Sequence, residues 1–126
     1  MRFLAAVLVC ATVTGSAVAS TGSLTVNTTS PAVFTAVYPQ AARQKIGQQQ
    51  PFNPIVQVNC SNGYQDLTIM RSESNNKNGT WTGVTYPLAV PGPADCSATL
   101  SYYDKDPATH ALIYVFVASV SFSVGA

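Results

Sequence analysis

The C-terminal stretch constrains the fold most. From Leu112 onward every even position is apolar (Leu112, Tyr114, Phe116, Ala118, Val120, Phe122, Val124), while the odd positions change from Ile113, Val115 and Val117 to Ser119, Ser121 and Ser123. Side chains alternate faces along a strand, so parity held over such a run marks a β-strand with one buried face. The even side chains, Phe116 and Val120 among them, are expected in the core throughout, while the other face turns from dry to wet halfway. A strand of this length spans roughly 40 Å at about 3.3 Å per residue, which predicts a bend or bulge near Ala118-Ser119. The competing reading is a removable lipid-anchor signal, but such a signal needs only bulk hydrophobicity and has no reason to keep a period of two.

The same alternation surrounds two cysteines. Val56, Val58 and Cys60 share one face, as do Cys96, Ala98, Leu100 and Tyr102, against Gln57 and Asn59 or Ser97, Thr99 and Ser101 on the other. Both sulfurs then point inward, as a bridge between strands or sheets requires. Further strands are expected at Leu24 to Thr28, Val33 to Tyr38, Asp66 to Arg71 and Thr80 to Tyr86, which are rich in Val, Thr and aromatic residues. Ser30-Pro31, Asn62-Gly63, Asn78-Gly79, Pro91-Gly92-Pro93 and Asp106-Pro107 separate these runs with turn chemistry. Gln40 to Gln50 lacks an apolar stripe and stops at Pro51, so it reads as a surface loop rather than a helix. About seven short strands separated by turns imply an all-β chain: an immunoglobulin-like antiparallel β-sandwich with one disulfide.

The chain opens with Arg2, an uncharged apolar run from Phe3 to Val9, and the small residues Ala17-Val18-Ala19, the three-part grammar of a secretory signal. Thr12, Thr14, Gly15 and Ser16 dilute the run too much for a membrane span. The expected organisation is therefore a signal peptide at 1–19 and one domain at 20–126, roughly 107 residues, enough to bury a core. Secretion to an extracellular location follows, and there Cys60 and Cys96 are expected to form a disulfide, since cleavage removes Cys10. Neither C-x-x-C spacing nor clustered histidines support a redox or metal pair.

Cleavage leaves Arg43, Lys45, Arg71, Lys77 and Lys105 against Asp66, Glu73, Asp95, Asp104 and Asp106. The basic residues are scattered, whereas phosphate-backbone binding needs them clustered, so nucleic acid is excluded as a partner. Polar surface must come from Ser, Thr, Asn and Gln. Three N-x-[ST] acceptors make Asn27, Asn59 and Asn78 glycosylation candidates, Asn59 being the weakest because its neighbour Cys60 is committed to a bridge.

Catalytic constellations are missing. The single histidine, His110, follows Asp106-Pro107 in an expected turn, and no G-x-S-x-G elbow accompanies it. Glycoside hydrolysis needs opposed carboxylates, one of them partly buried, and four of the five acids lie in or beside expected turns. Asp104 and Asp106 alone make no calcium site. No catalytic residue, metal or cofactor is assigned. Exposed aromatics are the better candidates for a binding role: Trp81, Tyr86 and Tyr103, the last facing away from Tyr102 and the core.

Taken together, the signal, the segment Ser30-Pro31-Ala32-Val33-Phe34 and the closing strand Ala118-Ser119-Val120-Ser121-Phe122-Ser123-Val124 resemble small secreted fungal immunoglobulin-like domains. The group in question is the Ser/Thr-rich cell-wall-associated family related to yeast β-glucan assembly proteins. That family usually carries a Trp at the end of its second strand, where this chain has Val58-Asn59-Cys60. The resemblance implies architecture and a wall-associated, non-catalytic role, and no functional residue is carried over from it. The resulting expectation is a secreted, non-enzymatic interaction or structural protein, cell-surface-associated or effector-like. Its partner is an extracellular protein or polysaccharide. The alternative is a carbohydrate-binding module working through the exposed aromatics.

Overall fold

A computed structural model of the chain describes residues 22–43 and 54–126. The segment read as a signal, 1–19, and residues 44–50 of the expected loop lie outside the described residues. Seven strands are present: β1 (Ser23–Thr29), β2 (Ala32–Pro39), β3 (Ile55–Cys60), β4 (Gln65–Asn75), β5 (Thr80–Thr85), β6 (Ala94–Lys105) and β7 (Leu112–Val124), with a 3-10 turn at Gln40–Arg43 after β2. Every strand expected from alternation is found. Two of the intervening turns use glycine in the left-handed region, Gly63 at φ 91° and Gly79 at φ 90°, where a Cβ would be strained.

All neighbouring strands pair antiparallel in the order β1-β2-β5-β4-β3-β6-β7, forming one continuous sheet. Its two end strands, β1 and β7, pack side by side, which curls the sheet almost into a barrel. Gly22 permits that approach, because a Cβ there would fall 2.0 Å from Val117 Cγ1 and 2.9 Å from the Val37 carbonyl oxygen. Inside lie Phe34, Ala36 and Tyr38 of β2, Val56 and Val58 of β3, and Ala98 and Leu100 of β6, all without solvent contact. Removing such apolar side chains from water contributes about 1.5–3 kcal/mol for each one of valine size or larger. Phe34 meets Phe122 edge-on at 5.6 Å. The Phe34 amide donates to Thr85 Oγ1 at 3.1 Å, so this buried polar pair is mutually satisfied.

Cys60 and Cys96 are bonded, with Cα atoms 4.0 Å apart, and they are direct partners across the β3–β6 ladder. The ladder's flanking bond runs from Ser61 N to Asp95 O, while Cys60 N donates to Tyr64 O on the other side. The cysteines thus occupy a non-hydrogen-bonded position, where facing residues come closest. The bridge therefore staples two adjacent strands.

The last strand departs from its even-face pattern. Leu100 pairs with Ala118, but Ser101 pairs with Phe116, so Val117 is an extra residue without a partner on β6. One inserted residue reverses the parity of everything beyond it. C-terminal to Val117, the inward residues are Ala118, Val120, Phe122 and Val124, as expected. N-terminal to it, Val115 packs on the core, while Leu112, Tyr114 and Phe116, expected inside, are turned to solvent at 51%, 58% and 53% exposure. The expected bulge exists, but it sits at Val117 rather than Ala118-Ser119, and that displacement puts an aromatic cluster on the outside of the sheet.

Candidate functional site

The outer face of β3, β6 and β7 has two halves with different chemistry. Toward the end of the barrel that carries the disulfide, the outward residues are Asn59, Asp95, Ser97, Ser121 and Ser123, in cross-strand register Asn59–Ser97–Ser121 and Asp95–Ser123. Toward the other end, Tyr103 faces Tyr114 and Ser101 faces Phe116, with Leu112 beyond. The hydroxyls of Thr99 and Ser119, also paired, lie between the halves.

Tyr103 and Tyr114 rings are 4.4 Å apart and tilted by 31°, with their hydroxyl oxygens 2.6 Å from each other. Stacked this way, the two rings stand up from the sheet as a ridge tipped by two hydroxyls. That contact, with desolvation second, raises the Tyr114 phenol above its ordinary range by favouring the protonated form. Phe116, two residues along the same strand face, extends the ridge. Tyr103 is where the alternation places it. Tyr114 and Phe116 were hidden from sequence reasoning, because Ile113, Val115 and Val117 are also apolar and leave no cue to which parity faces out.

Trp81 and Tyr86 belong elsewhere. Trp81, on β5, pairs with Tyr38 and packs partly against the core. Its indole N–H donates to Gln40 Oε1, and the Arg43 guanidinium carbon lies 3.8 Å over its ring. Tyr86 is exposed just beyond β5, its amide bonded to the carbonyl of Ile69 on β4. Ile69 pairs with Ile55, Ile55 with Ser101 and Ser101 with Phe116, so Tyr86 lies at the far end of a row crossing five strands. The structure thus gathers Tyr103 with Tyr114 and Phe116 and separates it from the other two candidates.

Arg43 also holds Glu73, donating from Nε to Oε2 at 3.1 Å and from Nη2 to Oε1 at 3.4 Å. The same carboxylate accepts the hydroxyl of fully buried Tyr38. Burial first, then the Glu73 bond and charge, push the Tyr38 phenol well above the usual tyrosine range. Glu73 is therefore a structural acceptor that ties β2 and the 3-10 turn to β4. Asp106 serves its own turn, accepting from the amides of Ala108 at 2.8 Å and Thr109 at 3.4 Å.

The three sequon asparagines are exposed. Asn27 Oδ1 accepts from Thr35 Oγ1 at 2.9 Å, and Asn78 Oδ1 accepts from both the amide and the hydroxyl of Thr80 at 3.1 and 2.6 Å. An open depression of about 470 Å³ lies beside Asn59, lined by Ser61, Asp95, Ser97, Ser121 and Ser123 over Cys96 and Phe122. Among the described residues, no three His, Cys, Asp or Glu side chains come together for a metal ion, and no helix is long and apolar enough to cross a membrane.

No protein family, curated protein or solved structure matches the chain.

Proposed function

We propose that this chain is a secreted, non-enzymatic binding module with an immunoglobulin-like β-sandwich. It attaches to an uncharged polysaccharide through the outer face of β6 and β7. The strand order supports the architecture. Lettered in chain order, β1-β2-β5-β4 reads ABED and β3-β6-β7 reads CFG, the two sheets of such a sandwich, here joined through the β3–β4 ladder.

One observation carries the binding role: the cluster of exposed Tyr114 and Phe116 with half-buried Tyr103, flanked by the hydroxyls of Ser101, Thr99 and Ser119. An apolar aromatic cluster exposed on the outer face of a rigid ladder marks an interaction surface. Pyranose rings offer apolar C–H faces edged by hydroxyls, which matches aromatic rings interleaved with Ser and Thr. At the rim of this cluster Lys105 stands opposite Leu112 and Asp104 opposite Ile113, charges of opposite sign. An uncharged ligand fits such a surface better than a phosphate-rich or anionic one.

The test is sedimentation of the purified chain with insoluble β-glucan, chitin and cellulose, beside the Tyr114→Ala/Phe116→Ala double variant. Retention of the native chain on one polymer, lost in the variant while it still unfolds cooperatively, is the expected result. Passage of the native chain through every polymer would overturn the polysaccharide and reassign the face to a protein partner.

A further inference from the structure

We propose that Asn59 carries an N-linked glycan whose proximal sugars seat in the serine-lined depression on the outer face of β3, β6 and β7. The sequon Asn59-Cys60-Ser61 looks compromised in sequence, because its middle residue forms the disulfide. The strand resolves that conflict. Adjacent residues of β3 point to opposite faces, so Cys60 turns toward Cys96 and the core while Asn59 turns outward. Asn59 is exposed, and its side-chain amide has no hydrogen-bond partner among the described residues. A glycan added to the nascent chain at this position is compatible with closing both ladders of β3.

The surroundings suit a sugar. Asn59 leads a row that crosses to Ser97 and then Ser121, reaching about 10 Å from the Asn59 backbone at roughly 4.8 Å per strand. This is within reach of the proximal sugars. Two further hydroxyls and a carboxylate are already ordered at the rim: Ser61 Oγ accepts the Asp95 amide at 3.0 Å, and Ser123 Oγ donates to Asp95 Oδ1 at 2.8 Å. Fixed polar groups around a shallow, uncharged floor are what a hydroxyl- and acetamide-bearing ring can bond without new ordering cost. The chemistry is a transfer from a lipid-linked oligosaccharyl diphosphate. Asn59 Nδ2 bonds to the anomeric carbon, the bond from that carbon to the diphosphate oxygen breaks, the lipid diphosphate leaves with the electron pair, and Nδ2 gives up one proton. The sugar then covers the polar half of the face and leaves the Tyr103–Tyr114 half open.

The full chain, expressed in a eukaryotic secretory host, supplies the test. Peptide mass mapping after amidase release is expected to show Asn59 converted to aspartate, with the intact chain losing one glycan's mass in the Asn59→Gln variant. Recovery of Asn59 unmodified, or failure of the chain to leave the cell, overturns the proposal. Seating is read separately by NMR on the glycosylated and amidase-treated chain. Amide shifts at Ser97 and Ser121 are expected to move, and changes confined to Asn59 and its chain neighbours would refute the seated sugar.

Discussion

Tyr103 stands directly across the β6–β7 ladder from Tyr114, and their hydroxyls share a hydrogen bond of 2.6 Å. That bond is the largest cause of the raised Tyr114 phenol. Replacing Tyr103 with Phe removes it and leaves the ring stack. The phenolate of Tyr114, followed by NMR of ring-labelled tyrosine, is expected to appear at lower pH in Tyr103→Phe than in the native chain. An unmoved titration would mean that the two hydroxyls are not coupled in solution.

Tyr38 sets the alkaline limit of stability. Its phenol is raised by burial and by Glu73, so in the folded chain it keeps a proton that the unfolded chain gives up near pH 10. Above that value the unfolded state binds fewer protons than the folded one, and stability falls as pH rises. Denaturant midpoints should therefore hold up to about pH 9 and drop beyond pH 10. In Tyr38→Phe the drop is expected to be shallower. The variant should also be weaker at neutral pH by about 1.5–3 kcal/mol, the usual worth of a hydrogen bond to a charged group.

The Cys60–Cys96 bridge closes a loop of sequence separation 36. In the chain-entropy account that constraint is worth roughly 4 kcal/mol, acting on the unfolded chain. The Cys60→Ala/Cys96→Ala double variant is expected to unfold at clearly lower denaturant with the same outward face. Its binding per folded molecule should be unchanged, because both sulfurs lie on the core side of the sheet. Loss of binding without loss of folded population would tie the bridge to the site itself.

Much of this architecture is readable from period-two burial. Val56, Val58 and Cys60 set the inward face of β3, and Ala98 and Leu100 that of β6, so the bridge between them was implied before any pairing was known. The Tyr38–Glu73–Arg43 cluster was not readable, since Glu73 lies 35 residues from Tyr38 and 30 from Arg43 and only the β2–β5–β4 order brings them together. The aromatic ridge escaped for a different reason. Leu112 to Val117 are apolar on both parities, and a pattern apolar on both faces cannot say which side meets water.

Val117 decides that question, and deleting it tests the assignment. Because it has no partner on β6, its removal leaves Leu100↔Ala118 and Ser101↔Phe116 adjacent and in register, with Tyr103 still opposite Tyr114. The cost should be limited to one nearly buried valine, about 1.5–3 kcal/mol. For a domain near 100 residues that corresponds to a fall in melting temperature of about 10 °C. Deleting Ser121, which pairs with Ser97, is a different lesion, because the bulge at Val117 can absorb it only by turning Val120 outward and Ser119 inward opposite Ala98. It shifts one flank of β7 by a residue, turning buried side chains outward. Thermal melts of the two deletions are expected to show a folded, moderately weakened chain for Val117 and no cooperative transition for Ser121. Equal damage from both would place the bulge elsewhere, and Phe116 would then return to the core.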